Sequence, residues 1–231
     1  MTSEDDRPFS YETSPPLTWK KLKHPLPDGS QVLVMACDIC SSSDIIEDLT
    51  TTSRVEKYRK FLGELKHALV DVQNKFMLFE VYKFTGDGWI LLFPGGDAKG
   101  KGVELLGMMR DLSLQFRGAF DDVLKDYLNT PPGASGINFG LDAGPIFHSR
   151  ILGAHEYFGR PIVVACRLQG EIKKIDPMAP GYKALVSTPA FKDYLAPAAG
   201  FEVSDHQPVL WNVNRDKPFH CRKIELLKAE P

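Results

Sequence analysis

The stretch that most constrains this chain is Val81-Tyr82-Lys83-Phe84-Thr85-Gly86-Asp87-Gly88-Trp89-Ile90-Leu91-Leu92-Phe93. Two β-prone apolar runs flank a Gly-Asp-Gly turn. Residues that tolerate positive φ dominate such turns, so the stretch reads as a hairpin. Turn chemistry alone would account for Asp87. A second carboxylate in a similar setting changes that reading. The run Gln31-Val32-Leu33-Val34-Met35-Ala36-Cys37-Asp38-Ile39 is almost wholly apolar and reads as a strand buried on both faces. An Asp at the end of such a strand must be paired, hydrogen-bonded or metal-bound, because burying a bare charge is costly. The plain alternative is that Asp38 caps the next helix. Cys40-Ser41-Ser42-Ser43-Asp44 follows, and its serines and Asp44 suit the N-cap of a short helix over Ile45–Leu49. A strand, a carboxylate and the free amides of a helix start, with Ser41 and Ser42 among them, suit a metal–phosphate ligand.

At 231 residues with 43% hydrophobic content, the chain has enough apolar material for one sizeable domain and is not globally disordered. A net charge of -2 gives no electrostatic case for nucleic acid or an anionic membrane. No apolar run approaches the roughly 20 residues of a membrane span. The start, Met1 to Arg7, is acidic and polar, unlike a signal peptide, so a cytoplasmic protein with four reduced cysteines is expected. Cys37 and Cys40 form a single C-x-x-C, weak evidence for zinc, which usually takes four ligands. The six histidines show no metal-binding spacing.

Residues 1–30 carry five prolines and few apolar residues, and read as an extended arm ahead of a domain over 31–231. Residues 53–75 show amphipathic helical spacing, with Ser53 as a plausible N-cap. Gly95, Gly100 and Lys101 fit G-x-x-x-x-G-K, but Gly102 stands where a phosphate loop needs Ser or Thr, so 94–102 is expected to be a solvent loop. A second helix is expected over 103–128, a strand over 137–147, and a helix from Arg160, whose first turn admits Pro161. Arg167 lies seven residues after Arg160 and points roughly the same way. Ala184–Ser187 reads as a strand, with Thr188 capping a short helix to Leu195. Further strands are expected at 201–203, 209–211 and 221–227. The order β-α-β-β-α-β predicts an α+β fold with a ferredoxin-like core and a C-terminal extension. Its sheet would set the first strand beside the hairpin and bring Asp38 and Asp87 together.

Four blocks resemble the class III nucleotidyl cyclase domain, the family of adenylate and guanylate cyclases. They are Met35-Ala36-Cys37-Asp38-Ile39-Cys40-Ser41-Ser42, Val81 to Gly88, Ile137 to Pro145, and Glu156-Tyr157-Phe158-Gly159 through Arg167-Leu168. They span about 31–175 in the family's order. The resemblance implies two divalent ions, Mg²⁺ or Mn²⁺, held by Asp38, Asp87 and the Ile39 carbonyl. It implies attack of the ribose 3′-oxygen on the α-phosphorus of a nucleoside triphosphate, with Arg167 stabilising the phosphoryl charge and pyrophosphate leaving. Lys83 and Glu156 match the family's base-reading positions, where adenylate cyclases often carry Lys with Asp or Thr. Family sites form across a head-to-tail dimer, so one copy of each motif implies a homodimer.

The chain also departs from the family. Val163 stands where an asparagine orients the ribose. The lysine that binds the terminal phosphates has no clear counterpart; Trp211 and Asn212 fall near it, with Arg215, Lys217, Arg222 and Lys223 nearby. The missing asparagine and short arm also resemble bacterial pyrimidine cyclases of the Pycsar type, which make cyclic UMP or cyclic CMP during phage infection and signal to a separate effector. The expected activity is therefore a UTP or CTP cyclase in antiphage signalling. The alternatives are an adenylate cyclase, which Lys83 alone would favour, and a catalytically inactive nucleotide-binding or dimerisation module.

Overall fold

The computed structural model describes residues 25–76, 79–132, 135–179, 181–196 and 200–227. Most of the arm expected over 1–30 lies outside them. The elements in chain order are β1 (Ser30–Cys40), α1 (Ser42–Thr51), α2 (Val55–Lys75), β2 (Glu80–Phe84), β3 (Gly88–Pro94), α3 (Gly95–Ala98), α4 (Gly102–Val123), β4 (Gly136–Ile151), β5 (Ala154–Phe158), α5 (Arg160–Ile175), β6 (Lys183–Ser187), α6 (Thr188–Ala190), β7 (Glu202–His206) and β8 (Cys221–Glu225). One eight-stranded sheet runs β2-β3-β1-β4-β6-β8-β7, with β5 paired to the far end of β4. Each of its first four strands, β2-β3-β1-β4, is antiparallel to its neighbour, and together they form the expected ferredoxin-like core. The α5 crossover then makes β6 parallel to β4.

Strand β1 is central, and both its faces are covered. Leu33, Met35, Cys37 and Ile39 join α2 and α4 in the main core, where Phe61 and Phe116 meet edge to face at 5.3 Å. Val32, Val34 and Ala36 pack on the other face with Ala165 of α5. This two-sided burial is why β1 reads as an unbroken apolar run rather than an alternating one. Helix α5 lies directly on β4 because Gly140 has no side chain: a Cβ there would sit 2.0 Å from the Ala165 carbonyl oxygen. No helix of the described residues is long and apolar enough to cross a membrane.

Several local expectations are corrected. Residues 95–98 form a short helix rather than a solvent loop; Gly95 and Ala98 are buried, and a Cβ on Gly95 would sit 2.5 Å from the Gln31 carbonyl oxygen. Ser41 precedes α1 with φ 57° and makes no capping bond, since a left-handed residue does not present its hydroxyl to the first amides as an extended N-cap does. Ser53 also has φ 57°, and Arg54 takes the position before α2. Ser187, not Thr188, caps α6, its hydroxyl accepting from the Ala190 N–H at 3.3 Å. Helix α4 ends at Val123, not 128. The strand expected at 209–211 reduces to one bridge, Val209 to Pro218, because the flanking prolines cannot donate to a ladder.

Candidate active site

The β1–β3 pairing sets Asp38 opposite Gly88, next to Asp87. Only glycine fits there, because a Cβ would lie 2.1 Å from the Cys37 carbonyl oxygen. The Ile39 N–H donates to the Asp87 carbonyl at 3.2 Å and ties the hairpin turn to the end of β1. The two carboxylates therefore meet. Burial first, then the hydrogen bond and charge of Asp87, push the Asp38 carboxyl up to about 7, against the pull of Lys173 and Gln169. Gln169 Nε2 donates to Asp38 Oδ2 at 3.2 Å, and Lys173 Nζ lies 3.8 Å from the same oxygen. The Ser42 hydroxyl donates to Asp87 Oδ2. Asn138 on β4 pairs opposite Asp38, fully buried, and neither of its amide atoms has a hydrogen-bond partner among the described residues.

This nest is rich in oxygen and short of positive charge. Such a donor set fits a hard divalent cation, Mg²⁺ or Mn²⁺, whose charge would let both carboxylates ionise. Asp38, Asp87 and the Ile39 carbonyl are the groups that would hold it. Among the described residues no cluster of three or more His, Cys, Asp or Glu could hold a metal, so backbone, water or substrate oxygens would complete the shell. Cys37 and Cys40, three apart on one strand, point to opposite faces, and burial pushes both thiols up to about 12. They cannot share a metal. Beside the aspartates, Ser41, Ser42, Ser43 and Asp44 at the start of α1 line a cavity of about 260 Å³ with Lys173.

A second cluster sits at the rim. The β2–β3 register shifts between Val81 and Lys83, a bulge that re-aims the strand. Lys83 Nζ then pairs with Glu156 Oε2 on β5 at 3.3 Å. The Tyr82 hydroxyl donates to that oxygen at 2.6 Å and accepts from the Tyr157 N–H at 3.1 Å. The Tyr82 hydrogen bond, then Lys83, holds the Glu156 carboxyl below its ordinary range.

The chain does not bring Arg167 to the aspartates. Gln169 faces Asp38, and Arg167, two positions earlier and about 200° away around α5, is exposed. Its guanidinium carbon lies 4.7 Å from the Trp211 ring centre. Val163 is exposed as well. Sequence reasoning missed Gln169, Lys173, Asn138 and Tyr82. The first two lie more than 130 positions from Asp38, and only the β1–β4–α5 packing reveals them.

No protein-family model matches the chain, and no curated protein does. Solved structures do. The adenylyl cyclase CyaB from P. aeruginosa superposes with TM-score 0.65 at 16% identity, over 87% of this chain and 95% of that one. The guanylyl cyclase Cya2 gives 0.63 at 14%, over 85% and 93%. A class III adenylyl cyclase-like ATP-binding protein from Pseudomonas aeruginosa gives 0.54 at 18%, over 71% of this chain and 34% of that one. The chain has the fold of the adenylyl and guanylyl cyclase domains.

Proposed function

We propose that this chain is a nucleotidyl cyclase that converts a nucleoside triphosphate to a 3′,5′-cyclic nucleotide and pyrophosphate. The observation that carries the reading is the meeting of Asp38 and Asp87 beside Asn138, whose buried amide has no partner among the described residues, in a fold shared with cyclases. When bound, Mg²⁺ or Mn²⁺ would activate the ribose 3′-hydroxyl and neutralise phosphate charge. Asp38, Asp87 and the Ile39 carbonyl hold that charge in place. The cavity at the start of α1, with Ser41, Ser42 and Lys173, receives the phosphates. Lys83 donates and Glu156 accepts, so the pair reads a base edge that offers an acceptor beside a donor. Arg167 faces away from its own aspartates, which supports a site completed by a second copy of the chain. There its guanidinium stabilises the charge that develops on the phosphorus, an effect of about 10²–10³ in rate.

We rank UTP and CTP above ATP. The ground is Val163, which stands where the family's asparagine orients the ribose; the Lys83–Glu156 pair does not itself separate the bases, since adenine also sets an acceptor beside a donor. The same resemblance supports a role in antiphage signalling through a separate effector, with the enzyme in the cytoplasm. A product assay decides. Purified protein with Mn²⁺ is given ATP, GTP, CTP and UTP separately, and cyclic products are separated and weighed by mass spectrometry. Cyclic UMP or CMP is expected. Cyclic AMP would make it an adenylate cyclase. No product from any substrate would favour a nucleotide-binding module instead.

A further inference from the structure

The loop between β7 and β8 is built with unusual care for a surface segment. Its neck is closed by the Phe219 N–H donating to the Pro208 carbonyl at 2.8 Å and by the Val209–Pro218 bridge. Leu210, Val213 and Phe219 are buried against Val164, Leu168 and Ile172 of α5. Trp211 stands between two of these buried feet and is 65% exposed, so core packing does not account for it. The backbone around it is strained. Asn212, Asn214 and Arg215 have φ of 57°, 54° and 53°, three left-handed non-glycine residues in four positions. Asn tolerates that conformation and Arg does not favour it; such strain persists only where the surroundings over-determine it.

What the loop presents is a pair of aromatic faces to a pair of arginines. Arg160 and Arg167 lie on one stripe of α5. The Arg160 guanidinium carbon is 5.7 Å from the Phe219 ring centre, and that of Arg167 is 4.7 Å from Trp211. Arg160 is also held by Asp142 at 3.3 Å. Arg167 pairs with no carboxylate among the described residues. A guanidinium lying on an indole face keeps its N–H groups available at its edge, whereas a carboxylate would occupy two of them. An arginine that must meet phosphate oxygens is therefore better steadied by a ring than by an ion pair.

We propose that Pro208–Phe219 is an arginine-positioning loop and that Trp211 is a positioning residue for Arg167. The inference rests on reading Arg167 as the phosphate-contacting arginine. Two measurements test it. Among the three indole N–H resonances, Arg167→Met is expected to move one, and Trp211→Phe to remove that same one. In steady-state kinetics with the best substrate, Trp211→Leu is expected to lower kcat about 10-fold with KM changed less than about two-fold. Trp211→Phe, which keeps an aromatic face, should recover most of the rate. Melting temperature and oligomeric state should match the wild type in both. An unmoved indole resonance overturns the contact. An unchanged kcat in Trp211→Leu, or a rise in KM alone, overturns the positioning role, the second by making Trp211 a binding surface. If the wild type forms no product, the cyclase reading fails, and the indole resonance still decides whether the loop holds Arg167.

Discussion

Two carboxylates lie beneath α5 on neighbouring strands, and their surroundings are opposites. Asp142 on β4 is all but sealed, with its side chain 1% exposed, and it faces a cation, Arg160 at 3.3 Å. Burial pushes its carboxyl up, and Ser187 and Arg160 pull it back, although Oδ1 has no hydrogen-bond partner among the described residues. Asp38 on β1 is 20% exposed. It faces a second carboxylate, a neutral amide from Gln169 and a lysine at arm's length. The first arrangement is neutral in itself and serves the fold. The second is charge-deficient, a cost that a structural site would not retain. A buried carboxylate therefore points to function when its neighbours fail to neutralise it, not merely because it is buried.

The largest effect should come from Asp38→Asn. Product formation should fall by about 10³ or more, while the metal-free protein melts at the same or a higher temperature near pH 7.5, since a repelled charge is removed. A clear drop in melting temperature would make Asp38 a structural residue like Asp142. Gly140→Ala disturbs both carboxylates at once, because α5 must lift off β4. A loss of about 1–3 kcal/mol is expected, read as a lower midpoint in urea with the slope unchanged.

A pH titration separates the two more finely. The Asp38 carboxyl is at about 7 in the fold, above its ordinary 3.8, so the folded chain keeps that proton longer than the unfolded one. Its contribution to stability is greatest below about 4, is lost as pH rises towards 7, and is flat above that. Melting temperatures in EDTA should carry this slope. Asp38→Asn should reduce it, and Mn²⁺ should offset the loss at high pH. The smallest effect is expected from Gln169→Leu, which leaves Asp38 in place but unoriented. Mn²⁺ affinity, measured by electron paramagnetic resonance of the free ion, should weaken about 10-fold. Unchanged affinity would reduce Gln169 to a packing residue.

The sequence revealed the parts of this site that local chemistry writes. Asp87 announces itself through its turn, and Asp38 through an apolar strand that ends in a charge. The sheet order follows from the helix and strand periods. The partners that distinguish Asp38 from Asp142 were not legible, because Gln169, Lys173 and Asn138 lie on β4 and α5 and meet Asp38 only through strand register and helix seating. Side-chain chemistry also misled where the backbone turned left-handed. Ser41 and Ser53 looked like caps, but a positive φ removes the geometry that capping needs. Val209-Leu210-Trp211 looked like a strand, yet Leu210 is buried as the anchor of a loop and Trp211 faces out.

The Lys83–Glu156 pair joins β2, at the edge of the sheet, to β5, which pairs with the overhang of β4. The aspartates sit instead on or beside the central strand. Substitution is cheap at a rim and expensive at a centre. If the pair reads the base, a lineage carrying this fold can exchange one nucleotide for another by altering two rim side chains, Lys83 exposed and Glu156 half-buried, while the groups that carry out the chemistry stay fixed. Choice of messenger is then the most evolvable property of the molecule, and the reaction the least.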